Sequence, residues 1–372
     1  MRVYLLVMLV AAATTYLMTP LARWLALRTG GITAVRDRDV HEVPIPRMGG
    51  VAMLLGLAVA LVVASRMPFL ADVFATDTVW WLLASAAIVC LLGAADDIWD
   101  LDWVTKLMGQ ILAAGLMAWQ GQIQLFALPI FGQTIPSANQ SLVATVLAVV
   151  VAMNAVNFVD GLDGLAAGLI AIGGTGFFVY TYLLTVDANA DNYSSLASLA
   201  VAALVGVCVG FLPHNFHPAR IFMGDSGSML IGLTIAAAAI VVTGDLDSVA
   251  ATTRQRFPAF LPILLPVFVL MLPLLDMAMA VIRRVGKGKS PFHPDRLHLH
   301  HRLLQLGHTH RRAVVIMYLW TALFAFGGAA LLRWSTEQVI WTVGVGALVA
   351  LAATLGPLRG RKARAEEAVR PA

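Results

Sequence analysis

The chain is predicted to be an all-α polytopic membrane protein with about 11 transmembrane helices, and three observations predict it. Of its 372 residues, 59% are hydrophobic and only 12% charged, whereas a soluble domain is about 25% charged. Mean hydropathy is +0.82. Apolar runs close to the roughly 20 residues that a helix needs to cross a bilayer recur along the chain. No second composition regime appears, so 1–356 reads as a single transmembrane domain and 357–372 as a short basic tail. A soluble enzyme is excluded, and no nucleic-acid partner is expected.

In chain order, spans are drawn at about 3–26, 48–65, 78–95, 104–120, 141–158, 164–184, 196–212, 227–244, 258–282, 313–332 and 338–356. Each is apolar over roughly a membrane thickness. The first lacks a small-residue cleavage pattern and is read as a retained helix. Between the fourth and fifth, 121–136 alternates apolar and polar residues around a Pro and a Gly. It is too broken to span, and a short external β-hairpin fits it. Cys90 and Cys208 lie inside apolar runs and read as small core residues, not as a disulfide.

Lysine and arginine set the orientation. With the N-terminus outside, one side collects twenty of the 25 basic residues, and the other keeps Arg2, Arg66, Arg254, Arg256 and Arg333. The basic side is therefore cytoplasmic, as is the C-terminus, with cytoplasmic loops at 28–47, 96–104, 159–163, 213–226 and 283–312. That map was drawn from cations alone. Yet it places all nine histidines on the same side, together with Asp96, Asp97, Asp160, Asp163 and Asp225. The groups capable of chemistry thus share one face of the membrane.

Asp96 and Asp97 close the third span. Adjacent carboxylates repel, so the pair wants a cation or a shared proton. Oxygen ligands at a cleft suit Mg²⁺, which favours one or two carboxylates plus substrate phosphates; a solvated helix end is the plain alternative. Lys106 could offset their charge or meet a phosphate. In Asn154–Gly168, Asn154 and Asn157 share a face of the fifth span's last turn. Asp160 and Asp163 flank a Gly-Leu turn, and the helix restarting after Gly164 is expected to offer its N–H groups to phosphate. Which aspartate touches a ligand stays open.

The loop before the eighth span ends in Gly224-Asp225-Ser226-Gly227-Ser228. Ser226 or Ser228 could cap the helix, while Asp225 is more than a cap needs. A serine hydrolase elbow does not match, because the context is not strand–turn–helix. The 283–312 loop carries His298-Leu299-His300-His301 among basic residues. Zinc lacks cysteine partners there, and a polyphosphate or sugar-nucleotide pocket fits better. Attraction to anionic lipid headgroups, about 1 kcal/mol per basic residue, accounts for the basic tail but not for the histidines. Asp276, inside the ninth span, is either functional or paired with a nearby basic group.

Taken together, these residues resemble the polyprenyl-phosphate N-acetylhexosamine-1-phosphate transferases of glycosyltransferase family 4. The resemblance runs from Pro46-Arg47-Met48-Gly49-Gly50 to His301. It is carried by Asp96-Asp97 with Lys106, by Asn154-x-x-Asn157-x-x-Asp160-Gly-Leu-Asp163-Gly, by Asn215 ten residues before Asp225, and by the His-x-His-His loop. It implies a Mg²⁺-dependent transfer, with Mn²⁺ as a substitute, in which a polyprenyl phosphate attacks the β-phosphate of a UDP-N-acetylhexosamine and releases UMP. The implied catalytic residues are Asp96, Asp97 and Asp225, and the implied metal ligands Asp225, Asn157 and Asp97. The implied substrate contacts are Lys106, Asn154, Asn157, Asp160, Asp163, Asn215, His298, His300 and His301. Membrane lipids would surround the enzyme, in the plasma or inner membrane, and a homodimer is compatible with the pattern.

His-Leu-His-His and Gly-Asp-Ser-Gly-Ser look more like the branch that uses UDP-N-acetylglucosamine to prime envelope polysaccharides, teichoic acids or arabinogalactan-type linkers. The phospho-MurNAc-pentapeptide transferase of peptidoglycan synthesis is the disfavoured alternative within the family. A secondary transporter is the rival class. Its sites lie near the bilayer midplane, whereas these acids sit at one edge.

Overall fold

The computed structural model describes residues 1–32, 45–125, 137–188, 193–244, 266–288 and 298–368, with side chains to 356. The described residues are almost wholly helical: α1 (Arg2–Thr29), α2 (Gly49–Ala64), α3 (Thr78–Trp99), α4 (Trp103–Trp119), α5 (Ala138–Val159), α6 (Leu165–Ala188), α7 (Leu196–Asn215), α8 (Gly224–Gly244), α9 (Met271–Gly286), α10 (Leu299–Gln305), α11 (His310–Ala330) and α12 (Thr336–Ala368). Eight of these are long and apolar enough to cross a membrane. The remaining expected spans correspond to α2, α4 and α9, of 16, 17 and 16 residues. At 1.5 Å per residue α2 and α4 reach about 25 Å, short of a hydrocarbon core about 30 Å thick; the expected span 258–282, which contains most of α9, begins in residues outside the described ones. After α2 the chain bends by 110° into a 3₁₀ helix, Pro68–Phe74.

Burial orders the bundle. The apolar window of α8 is 83% buried and that of α7 78%, against 28% for α1 and 11% for α12. The helices that are apolar on every side are thus the central ones, as expected where lipid competes only for the outer ring. Around α8 pack α3, α5 and α7; α1 and α6 pack on α7, α11 on α6 and α12 on α11. Lipid gives no hydrophobic push between helices, so close backbone approach has to hold them together. Gly210 supplies it, since a Cβ there would run into the backbone of Ala12 in α1.

The expected hairpin falls largely on 126–136, which lie outside the described residues. Its first part, 121–125, is non-helical and tied to α5. The Leu125 N–H donates to Thr145 Oγ1 (2.9 Å), and Ser141 Oγ donates to the Leu125 carbonyl (2.6 Å). α5 itself starts with a capping box, Ser137 and Gln140 exchanging side-chain and backbone bonds. The expected loop 28–47 is described only at its ends, where Ile32 and Pro46 form an antiparallel bridge. Both cysteines are buried and free.

Candidate active site

The C-terminal end of α3 and the N-terminal ends of α4 and α8 meet at one end of the bundle. Asp96 is 8% exposed, and its Oδ1 accepts the Leu101 N–H at 2.8 Å, closing the tight turn into α4. Asp102 then caps α4 by accepting from the N–H groups of Val104 and Thr105. That start places Lys106 in the first turn. Its Nζ lies 2.5 Å from Asp96 Oδ2 and 3.2 Å from Asp225 Oδ2. Two carboxylates, those of Asp96 and Asp225, thereby share one ammonium.

Asp97 plays a different part from its neighbour. It accepts the backbone N–H of Asp225 (3.0 Å) and of Ser226 (3.4 Å), and the Ser226 hydroxyl (3.0 Å). The cap of α8 therefore comes from another helix. Neither serine fills the expected capping role: Ser226 Oγ donates to the Met223 carbonyl as well, and Ser228 Oγ donates to that of Asp225. α8 approaches this closely because Gly93 and Gly224 have no side chain. A Cβ on Gly93 would strike the Ser226 backbone, and one on Gly224 would strike the Asp97 carboxylate. The Pro46–Gly50 motif fixes the other side of the same segment. Phe222 N–H donates to the Pro46 carbonyl (2.8 Å), and the Gly49 and Gly50 N–H groups donate to Phe222 and Met223 (both 3.0 Å).

In the α5–α6 segment, Asn154 Nδ2 donates to Gln110 Oε1 (2.7 Å) and to the Val150 carbonyl (2.8 Å), linking α5 to α4. Asn157 follows one turn later and is half-buried. Asp160 ends α5; part of the residue reaches solvent, but its carboxyl is enclosed. Loss of water pushes that carboxyl up to about 7, with Asp225, Asp97 and Asp163 adding to the rise and Arg47 opposing it. Asp163 is only 1% exposed. Its Oδ2 lies 2.7 Å from His217 Nδ1 and accepts the Ala219 N–H at 3.0 Å.

Asn215, also 1% exposed, accepts the Gly164 N–H through Oδ1 (3.1 Å) and donates to the Ile221 carbonyl (3.0 Å). The α6 start was expected to offer free N–H groups to phosphate, and the three N–H groups that lead into it already have partners within the protein. The Asp163 N–H goes to His310 Nε2, that of Gly164 to Asn215, and that of Leu165 to the Leu162 carbonyl. Tyr318, which no sequence pattern singled out, donates its hydroxyl to the Gly164 carbonyl at 2.5 Å. Gly164 has φ +73°, a left-handed conformation that favours glycine.

The histidine loop closes the site. His298, His300 and His301 cluster with ring centroids 4.3–6.3 Å apart. His300 is 2% exposed and faces Gly161, where a Cβ would collide with its ring. Burial and the neighbouring His301, His298 and His310 hold the His300 imidazole well below its ordinary pKa. Asp276 resolves toward pairing, with a histidine in place of the expected basic residue. It is fully buried, lies 3.0 Å from His298 Nδ1 and accepts the Leu299 N–H at 2.8 Å, and so caps α10. Away from this cluster, a groove of about 290 Å³ between the ends of α1 and α7 is lined by Arg23, Trp24, His214 and Arg220.

The structure thus gathers Asp96, Asp97, Lys106 and Asp225 into one junction, and Gly161 and the histidines into an adjoining wall. Asp163 and Asn215 brace the loop beside that wall through bonds to the protein, and Asn154 ties α5 to α4. The family model described as "Glycosyl transferase family 4" matches residues 79–243, the stretch that holds every acid of the junction. Over 97% of this chain and 90% of its own length, the decaprenyl-phosphate N-acetylglucosaminephosphotransferase of Mycolicibacterium smegmatis is 42% identical, and that of Mycobacterium tuberculosis H37Rv agrees equally well. The undecaprenyl-phosphate alpha-N-acetylglucosaminyl 1-phosphate transferase of Escherichia coli K12 is 28% identical over 82% of this chain and 77% of its own. A likeness of 42% across nearly the whole length, with the motifs meeting at one site, makes this chain a member of glycosyl transferase family 4.

Proposed function

We propose that the chain transfers N-acetylglucosamine-1-phosphate from UDP-N-acetylglucosamine to a polyprenyl phosphate, giving a polyprenyl-pyrophosphoryl sugar and UMP. The observation that carries the proposal is the junction of Asp96, Lys106 and Asp225 at one end of a membrane bundle. It is supported by relatives named for this transfer to decaprenyl phosphate. A lipid phosphate anchored in the bilayer can reach a site at the bundle's end, and a soluble nucleotide can approach the same site from water. The charge map supports the cytoplasm as that aqueous side. A transporter would need its acids near mid-span.

The residues present fit a magnesium ion. The junction offers oxygen donors only, and three carboxylates exceed one ammonium in charge, which suits a hard divalent cation. Asp225 and Asp96 would hold it. Asp97 is already engaged with the α8 N-terminus and would act chiefly by fixing Asp225; Asn157, the remaining implied ligand, would add an amide oxygen. When bound, the ion would neutralise charge on the pyrophosphate.

The chain's own groups do the positioning that phosphoryl transfer chiefly requires. A lipid phosphate oxygen forms a bond to the β-phosphorus of the sugar nucleotide. The bond from that phosphorus to the bridging oxygen breaks, and the oxygen leaves with UMP. A phosphate monoester has a second pKa near 6, so the nucleophile is largely ionised and Asp96 need only orient it. Lys106 turns its ammonium to the phosphates, and His298, His300 and His301 line the diphosphate and sugar. The Nδ1 of His300 is enclosed without a hydrogen-bond partner among the described residues.

The test is purified protein in lipid with Mg²⁺, decaprenyl phosphate and a panel of UDP-sugars, following UMP release. Release with UDP-N-acetylglucosamine, dependent on the lipid phosphate, is expected. No release with that donor, or release only with UDP-MurNAc-pentapeptide, overturns the assignment.

A further inference from the structure

We propose a second metal site, for Zn²⁺ or a similar borderline cation, formed by Asp163, His217 and His310. The three residues come from different elements: the α5–α6 loop, the segment after α7, and the first residue of α11. Each offers one ligand atom, and the three atoms lie within 4.8 Å of one another. Two imidazoles with one carboxylate are a donor set that suits zinc, whereas Mg²⁺ prefers oxygen alone. The site therefore differs in chemistry, as well as in residues, from the all-oxygen junction of Asp96 and Asp225.

Its geometry is that of ligands already gathered. The His217 and His310 rings stack with centroids 4.4 Å apart and planes inclined by 22°. Asp163 is held from behind by the Ala219 N–H (3.0 Å), and the adjacent Gly164 N–H by Asn215 (3.1 Å). Asp163 is buried while the two histidines reach the surface, which leaves a path for an ion to enter and for water to complete a tetrahedral shell. In the metal-free arrangement, hydrogen bonds link the ligands: His217 Nδ1 to Asp163 Oδ2 (2.7 Å), and the Asp163 N–H to His310 Nε2 (3.1 Å). An ion replacing them would pin the Asp160–Asp163 loop to α11, and so set the wall against which His300 packs.

The experiment uses the full chain in detergent, stripped with chelator and equilibrated with Zn²⁺ in the absence of substrates. Its failure therefore leaves the transferase assignment standing. Wild type should retain one equivalent of Zn²⁺ and show a raised unfolding temperature. His301→Gln should retain both properties, and His217→Gln and His310→Gln should lose both. Co²⁺ on the unmutated protein should give the intense visible absorption of a tetrahedral site, which does not depend on how any variant folds. No stoichiometric retention, retention unchanged in His217→Gln and His310→Gln, loss confined to His301→Gln, or only a weak octahedral cobalt spectrum would each overturn the site.

Discussion

Asp97 and Asp225 lie 128 residues apart in sequence, yet the carboxylate of the first accepts the backbone N–H of the second at 3.0 Å. A helix-capping side chain typically contributes about 1 kcal/mol, up to about 2. Asp97→Ala should therefore lower stability by about that amount and depress turnover more steeply, because Asp225 is no longer held beside Lys106. Asp97→Asn keeps one carbonyl oxygen for the α8 N–H groups and should recover stability better than activity. Thermal unfolding alongside UMP release checks this. Asp97→Ala with unaltered stability would sink the capping role.

Lys106 sits between two carboxylates that would otherwise face each other uncompensated. In Lys106→Met, like-charge repulsion at the junction rises and the cation demand rises with it. The apparent affinity for Mg²⁺ should then hold or strengthen. Turnover should fall about 10²–10³-fold, the usual cost of removing one group that stabilises charge in a transition state. A titration of rate against Mg²⁺ separates the two effects. A variant with weakened Mg²⁺ dependence and normal saturated rate would contradict the assignment.

Membrane class and helix order were legible because apolar runs encode them directly, and the one-sided charge map foretold which acids would meet. Asp96, Lys106 and Asp225 stood out in the sequence because each is costly beside a bilayer, and they meet in the structure. Partnerships were not. Asp97 and Asp96 are adjacent and identical in type, yet one caps a distant helix and the other meets an ammonium. Only the close approach of α8 to Gly93 decides between them. That Asn215 and Asp163 also serve the fold was not legible, because buried backbone N–H groups need acceptors and only the packing shows that these two side chains supply them. Tyr318 was invisible because its reach to Gly164 depends on how α11 packs on α6.

Gly161 touches the histidine wall with nothing more than a hydrogen. A methyl group there would meet the His300 ring, whose own displacement is blocked by burial. Gly161→Ala should leave the bundle's unfolding temperature close to wild type while moving the histidines out of register. The KM for UDP-N-acetylglucosamine should rise about tenfold, or about 1.4 kcal/mol. Steady-state kinetics at fixed lipid phosphate would show it. Unchanged KM and turnover would mean that this contact does not shape the sugar-nucleotide site.

His300 also predicts a pH dependence. Its folded pKa is depressed by burial first and by His301, His298 and His310 next, while an unfolded histidine titrates near 6.5. Above about pH 6.5 both states are neutral there and no penalty arises. As pH falls below that value the unfolded chain takes up a proton that the folded one refuses. Stability is then lost at about 1.4 kcal/mol per pH unit until the folded pKa is reached. Unfolding measured from pH 8 down to pH 5 should weaken below about 6.5, and less so in His300→Gln. Equal slopes in the two proteins would remove His300 as the cause.

Asp276 holds the same loop from inside the bundle. With no exposure, it lies against the His298 imidazole and the Leu299 N–H, one oxygen to each. Asp276→Leu leaves two polar groups buried without an acceptor. At about 1–3 kcal/mol for each orphaned group, the expected loss is about 2–6 kcal/mol, concentrated in α10. Asp276→Asn retains one acceptor and should lose less. Because Asp276 acts through His298, both variants should slow turnover while decaprenyl phosphate, whose phosphate is assigned to Lys106 and Asp96, keeps its KM. Hydrogen exchange across 298–306 should quicken in Asp276→Leu before the rest of the bundle responds. If exchange there stayed at the wild-type rate while activity vanished, Asp276 would be acting on substrate directly and not as the anchor of the histidine wall.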